Sequence, residues 1–543
     1  MKKFKFFAVA TLLVAGLTSC VNDLDVTPID PNTVLPEDVL SNQGAFKQLL
    51  AKCYQGLCCS SSYGTSGDPD MKGVDGGYGQ YMRAIVNLQE ITTDVAACCW
   101  NDGNLFDLHY LCWNSSNEFV LSMYYRIFFQ VSQCNELIRR AQASTLPDSE
   151  FPDKAKYIAE ARALRLYSYY NAVDMFANVP FSDETSSVGS EGGPQIKRAD
   201  LFDWIVTEAQ DLLAGNDLAE VGQNEYGRCD KGFVQMILAK MYLNAGVWKG
   251  EEMYDKCAEM CEKIIAKYPL HMKPAGDKFT AYGELFCADN HLWGRNTTYP
   301  GGDEIIYLAP QDGILCASYG STTFLTFACA FSTMDPASLG ISSGWSGISL
   351  TGQLTGKFNE DKDQRATFFK GGLDANTGEW VDYAQHIDVA RNAAGSSDGW
   401  KSMKWVNICH DGTPAQLPGF SDIDFPVFRS ADAYLMYAEC AARGKADTKK
   451  GTDYLNKVRA RAGEDPIELN LDNIIDERAR ELYLEGHRRQ DLVRFDMFTT
   501  DKYLWDCKGG AGSGNAVDSH FNIFPILSGD LNANPNLVQN PGY

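Results

Sequence analysis

Histidine is scarce: there are seven in 543 residues, and none stands in the H-E-x-x-H arrangement that puts two imidazoles on one helical face for zinc. The 17 cysteines lack metal or staple spacing. No C-x-x-C pair is followed by a matching one, and the adjacent pairs Cys58–Cys59 and Cys98–Cys99 are poorly placed to chelate one ion. A zinc site and a disulfide-stapled scaffold are therefore excluded as organising features, and most thiols are expected buried and free. Basic charge is short as well. Lys and Arg total 48 against 71 Asp and Glu, a net charge of −23, which argues against nucleic acid or anionic lipid as partners and leaves a neutral ligand open. Beyond the N-terminus no apolar run nears the roughly 20 residues that span a bilayer.

What is present begins with MKKFKFFAVATLLVAGLTS, a lysine-bearing start and a short apolar run that read as a secretory leader over residues 1–19. It ends in LTSC, which is similar to the lipobox of bacterial lipoproteins. The mature chain is therefore expected to start at Cys20 and to carry acyl chains sufficient for stable anchoring, with an ordinary leader and a chance cysteine as the alternative. Residues 20–35, polar and proline-bearing, read as an extended tether.

Helical periodicity follows. DKAKYIAEARALRLYSYYNAVDMF, residues 153–176, repeats apolar or small residues through Tyr157, Ala161, Leu164, Ser168 and Ala172, then stops at Asn178-Val179-Pro180, so it reads as a long buried helix. Residues 230–267 and 430–463 each read as helix, turn, helix, with turns at Ala245-Gly246 and around Gly444. In the first pair Ala239, Tyr242, Gly246 and Ala258 alternate small and bulky residues, as close-packed tetratricopeptide helices do. Between the pairs, about 270–425 is rich in Gly, Ser, Thr and aromatics, with short strand-like runs such as DEIIYLAP. A ligand site is expected on such loops, carried by the helices. In CCWNDGN, residues 98–104, Asn, Asp and Gly form a turn that should leave the Trp100 ring at an exposed edge. The run DERARELYLEGHRRQD places Glu477, Glu481 and Glu485 beside Arg478, Arg480 and Arg488 at spacings that suit intrahelical ion pairs, which explain it without catalysis.

Four stretches together, CVNDLDVTPIDP, ARALRLYSYYNAVDMFANVPF, GRCDKGFVQMILAKMYLNAGV and the closing run from DERAREL to LVQNPGY, resemble the SusD/RagB family of outer-membrane glycan-binding lipoproteins, in particular its starch-binding member. The resemblance implies a mainly α fold over residues 20–543: tetratricopeptide-like helix pairs within about 40–268 and 428–495, and the loop-rich block as a shallow glycan-binding side. It implies a non-enzymatic surface protein that is anchored in the outer membrane at Cys20 and hands starch or maltooligosaccharide to a SusC-like TonB-dependent transporter. The alternatives are another glycan, a protein-docking scaffold, or a glycoside hydrolase.

By the same resemblance Trp100, Tyr319 and Trp345 fall on three ring positions that form an arc for a curved α-glucan, and Arg83 and Asp75 fall on polar contact positions. The family's asparagine in the tryptophan loop falls at Gly103, with Asn101 or Asn104 as candidates to replace it. Cys98 and Cys99 are expected to be free residues shaping that loop, with a vicinal disulfide as the alternative. No cofactor is required. The one metal the resemblance offers is calcium, at Asp422 and Asp424, with His291 where a third carboxylate is expected and Asp289 two residues away.

Overall fold

The computed structural model describes residues 39–61, 64–65, 71, 73–187, 192–294, 304–388 and 398–543; the leader, Cys20 and the tether lie outside the described residues. The helices that build the scaffold are α1 (Gln43–Cys58), α2 (Tyr81–Gln89), α3 (Glu118–Ala143), α4 (Lys154–Met175), α5 (Arg198–Ala214), α6 (Lys231–Leu243), α7 (Tyr254–Ile265), α8 (Ser321–Cys329), α9 (Ser430–Ala442), α10 (Thr448–Arg461), α11 (Leu471–Leu482) and α12 (Arg488–Arg494). Each of α3 to α6 packs on the next, α7 then packs on α9, and α9 on α10 and α11, giving one row of stacked helices of the tetratricopeptide kind.

Side-chain caps set several starts. Asn117 Oδ1 accepts from the backbone N–H of Phe119 and Val120 to open α3, Asp230 from Gly232 and Phe233 to open α6, and Asn470 from Asn473 to open α11. From Ala159 onward α4 is buried on nearly every side, which accounts for its apolar, tyrosine-rich sequence, and it ends where Ala177 turns to φ 57° before Val179-Pro180.

Two readings change. Gly246 is exposed and carries no close helix contact, because Ala245–Trp248 adds a short helical turn between α6 and α7. The intimate approach lies in the other pair, at Gly451, where a Cβ would come 2.4 Å from that of Ala441. The charged run is not a set of intrahelical pairs either. α11 stops at Leu482, Leu484 takes φ 60°, and Glu485 leaves the helix. Its three glutamates are buried and bridge elements: Glu481 takes Arg365, Arg429 and Arg461, Glu477 takes Arg365 and Arg459, and Glu485 takes Arg429 and Lys404. Only Arg480 to Glu477 and Arg494 to Asp491 keep the three-residue spacing within the run and its continuation. Three arginines around Glu481 hold its carboxyl below the usual range despite burial.

The block between α7 and α9 is built from two-stranded antiparallel sheets and α8. β2 (Ile305–Ala309) pairs with β6 (Phe425–Arg429), and β4 (Gly371–Leu373) with β5 (Trp380–Asp382). β1 (Ala96–Cys98) crosses from the helical part to pair with β3 (Ile348–Leu350) in the register Ala96↔Leu350, Cys98↔Ile348. That ladder positions the site.

Candidate functional site

β1 hands its chain to Cys99, whose N–H donates to the Gly347 carbonyl at 2.8 Å, so the next residue, Trp100, arrives beside Trp345. The Trp345 loop is docked in turn on the end of α8. Trp345, Ser346 and Gly347 N–H donate to the carbonyls of Phe327, Ala330 and Ala328 at 2.7, 2.9 and 2.8 Å. Tyr319 precedes α8 at its other end, where Gln80 Oε1 accepts from the Ser321 N–H at 2.9 Å and Gly320 lies so close to Gln80 that a Cβ would stand 2.2 Å from it. One short helix and one three-residue ladder thus bring together segments more than 200 positions apart.

The three rings are contiguous. The Trp100 and Trp345 centroids lie 6.4 Å apart at 46°, and those of Tyr319 and Trp345 6.0 Å apart at 65°. Trp100 Nε1 donates to the Trp345 carbonyl at 3.0 Å, which leaves the ring faces as its remaining recognition surface. Tyr319 is 44% exposed, whereas Trp100 and Trp345 are half-buried. That corrects the expectation of a freely exposed Trp100: one part of its ring packs on Phe324 (5.9 Å) and over Gly347, where a Cβ would meet the indole at 2.5 Å. Trp345 rests on Phe327 at 5.0 Å.

Arg83 lies behind the rings. Its guanidinium stacks 4.1 Å from Phe324 and 5.6 Å from Trp100, and an Nη1 N–H donates to the Tyr319 carbonyl at 3.1 Å. Burial pushes its pKa down to about 10, which leaves it cationic at neutral pH. Asp75 is exposed, and its Oδ1 accepts from Gly77 and Tyr78 N–H at 2.6 and 3.1 Å, holding the turn beside Arg83. Asn101 is exposed on the tryptophan loop. Asn104 differs: its Oδ1 accepts from Glu118 N–H and its carbonyl from Asn117, so it fastens the loop to the start of α3. Cys98 and Cys99 are buried and form no vicinal disulfide.

Two further rings lie near this site, one of them against Tyr319. Phe420 lies 5.6 Å from Tyr319, and Tyr78 packs on Phe119 with its hydroxyl donating to Glu118; burial, then that carboxylate, push its phenol up to about 12. Tyr78 stands in a Gly-rich turn context, GGYGQ, as Trp100 stands in a turn of Asn, Asp and Gly.

Asp289, His291, Asp422 and Asp424 do line one cleft, of about 440 Å³. Their oxygens are already engaged. Asp422 accepts from Gly313 and Gln416 N–H, both at 2.7 Å, Asp289 from His410 N–H at 2.8 Å, and Asp424 from Gln311 N–H at 2.6 Å and from the Tyr226 hydroxyl. Burial pushes the Asp424 carboxyl up to about 8. Among the described residues no three acidic, histidine or cysteine side chains converge on a common point. Calcium takes six to eight oxygens, and this arrangement does not fit it.

A stacked-helix scaffold that presents a contiguous aromatic platform on its loop side defines the class. Residues 342–543 match the family model described as the SusD family. Over 578 aligned positions, 99% of this chain and 98% of its relative, the sequence is 32% identical to the starch-binding protein SusD of Bacteroides thetaiotaomicron, and it is 25% identical to a SusD-like protein of Bacteroides ovatus over 69% of this chain and 65% of that relative. The chain belongs to the SusD/RagB family. Solved structures share the fold: surface glycan-binding protein A from Bacteroides thetaiotaomicron in complex with laminarihexaose has a TM-score of 0.66 at 19% identity, covering 92% of this chain and 99% of that one, and a laminarin-binding SusD-like protein has 0.66 at 20%, covering 92% and 100%.

Proposed function

We propose that this chain is a cell-surface lipoprotein, anchored through Cys20, that binds starch or maltooligosaccharide without cleaving it and passes it to a TonB-dependent transporter of the outer membrane. The observation that carries this reading is the ring set Trp100–Trp345–Tyr319, contiguous and angled, in a chain whose 32% identical relative is named for starch binding. Tilted rings each cover the apolar C–H face of one sugar, and a chain that turns from residue to residue, as an α-1,4-glucan does, can follow them. Asp75 and Asn101, both exposed, support the reading as polar groups for hydroxyls at the sugar edges.

Hydrolysis finds no support in the charged run, since Glu477, Glu481 and Glu485 are buried in ion pairs. A β-1,3-glucan is the second reading, because of the solved relatives named above one is in complex with laminarihexaose and the other binds laminarin. Affinity electrophoresis in amylopectin, pullulan, dextran and laminarin tests both. Retardation in amylopectin and pullulan is expected; retardation in laminarin alone would replace the α-glucan reading by the second, and equal migration in all gels would remove both.

A further inference from the structure

Away from the three rings, the β4–β5 hairpin displays the most exposed tryptophan among the described residues. Trp380 is 66% exposed and faces Leu373, 60% exposed, as its cross-strand partner. Neither is held loosely. The hairpin turn is closed by Asp374, whose Oδ1 accepts from Asn376 and Thr377 N–H at 2.8 and 3.0 Å and whose carbonyl accepts from Gly378 at 2.8 Å. The indole is fixed by Nε1 donating to Asp382 Oδ1 at 2.8 Å.

The inner side of the hairpin docks on the segment after α8. Ala375 N–H donates to the Ser332 carbonyl at 3.0 Å, the Ser332 hydroxyl bonds Asp374, and Gly372 approaches so closely that a Cβ would stand 2.6 Å from the Thr333 carbonyl. Val381 of this hairpin and Trp345 of the platform pack on the same small hydrophobic cluster, around Phe327, Phe331 and Met334. A rigid body therefore carries both Trp345 and Trp380.

We infer that the Trp380–Leu373 face is an outlying subsite for the same neutral glycan chain that the platform binds, engaged by long chains and out of reach of short ones. The inference rests on the glycan reading above. Three observations favour a sugar over a protein partner. With its N–H already bonded, the indole offers only a ring face, which is what a pyranose C–H face requires. Asp382 and Glu379 beside it are exposed acceptors for hydroxyls and repel an anionic ligand. A two-residue apolar face is also far below the roughly 800 Å² per partner of a specific protein interface.

The test compares wild type, Trp380→Ala, Trp380→Phe and the platform variant Tyr319→Ala for binding to amylopectin and to maltotriose. Trp380→Ala is expected to weaken amylopectin binding about three- to tenfold while leaving maltotriose binding unchanged, because one linked contact is lost from a chain held at two places. Trp380→Phe, which keeps a ring and the cross-strand pair, is expected to retain most of the affinity, and Tyr319→Ala to weaken both ligands. Unchanged amylopectin binding by folded Trp380→Ala, alongside a loss in Tyr319→Ala, overturns the subsite and leaves the platform standing. A wild-type protein that binds neither ligand overturns both.

Discussion

Tyr319 and Trp345 are neighbours at 6.0 Å yet should answer truncation differently. Tyr319→Ala uncovers little core, so a thermal melt should shift by no more than about 0.5 kcal/mol while calorimetry shows glucan affinity down about three- to tenfold. Trp345→Ala also removes packing on Phe327 and Trp100 and should cost about 1–3 kcal/mol, short of the full cost of a buried tryptophan. Equal stability losses at both positions would refute the assigned exposures. Gly347→Ala tests the ring geometry without deleting a ring: the new methyl would meet the Trp100 indole at 2.5 Å, so binding should fall and the near-ultraviolet dichroism of tryptophan should change. Unaltered affinity would mean that the position of Trp100 is immaterial.

His109, just beyond the tryptophan loop, is buried, and desolvation pushes its pKa down to about 3. Its folded value is depressed below the unfolded value of about 6.5, so its stabilisation is complete above pH 6.5 and is lost as pH falls toward 3, amounting to about 1 kcal/mol by pH 5.5. The stability gap between wild type and His109→Gln should therefore narrow between pH 7.5 and 5; a constant gap would contradict the burial. At this scale the sequence showed which ring types stand in glycine-rich turns, and the family resemblance chose among them. It could not show that Trp100 is half-buried, because the packing surface comes from Phe324 and Gly347, far along the chain. Nor could it show that the Asn104 Oδ1 is bonded to the start of α3.

Among the elements, α4, α6, α7, α9 and α10 were legible because their apolar periodicity runs over twelve or more residues and turn formers bound it. The β1–β3 ladder was not: three residues a side give no period, and the partners lie some 250 positions apart. The run from Asp476 to Asp491 misled in one respect. Spacings of three and four suit intrahelical pairs, but such spacings also array charges toward several neighbouring elements, and only the fold reveals that Arg365, Arg429 and Arg461 meet there. The difference is measurable. An exposed helical pair contributes about 0.3–0.5 kcal/mol, whereas leaving three buried guanidiniums short of Glu481 should cost about 3–5 kcal/mol. Denaturant unfolding of Glu481→Gln should show the larger loss; a loss below 1 kcal/mol would place the network in solvent.

Over the whole molecule, stacked helices provide a stiff frame, and the irregular block spends that stiffness on holding rings at fixed angles. The net charge of −23 suits this division, since a neutral glycan meets no electrostatic penalty at an acidic surface while anionic polymers are repelled. The central claim is that Trp100, Trp345 and Tyr319 form one glucan platform, and the most direct measurement is a crystal structure with maltoheptaose. It should show consecutive glucose rings stacked on Tyr319, Trp345 and Trp100, with the chain curving between them. Maltoheptaose seated elsewhere, with these three rings bare, would contradict the account.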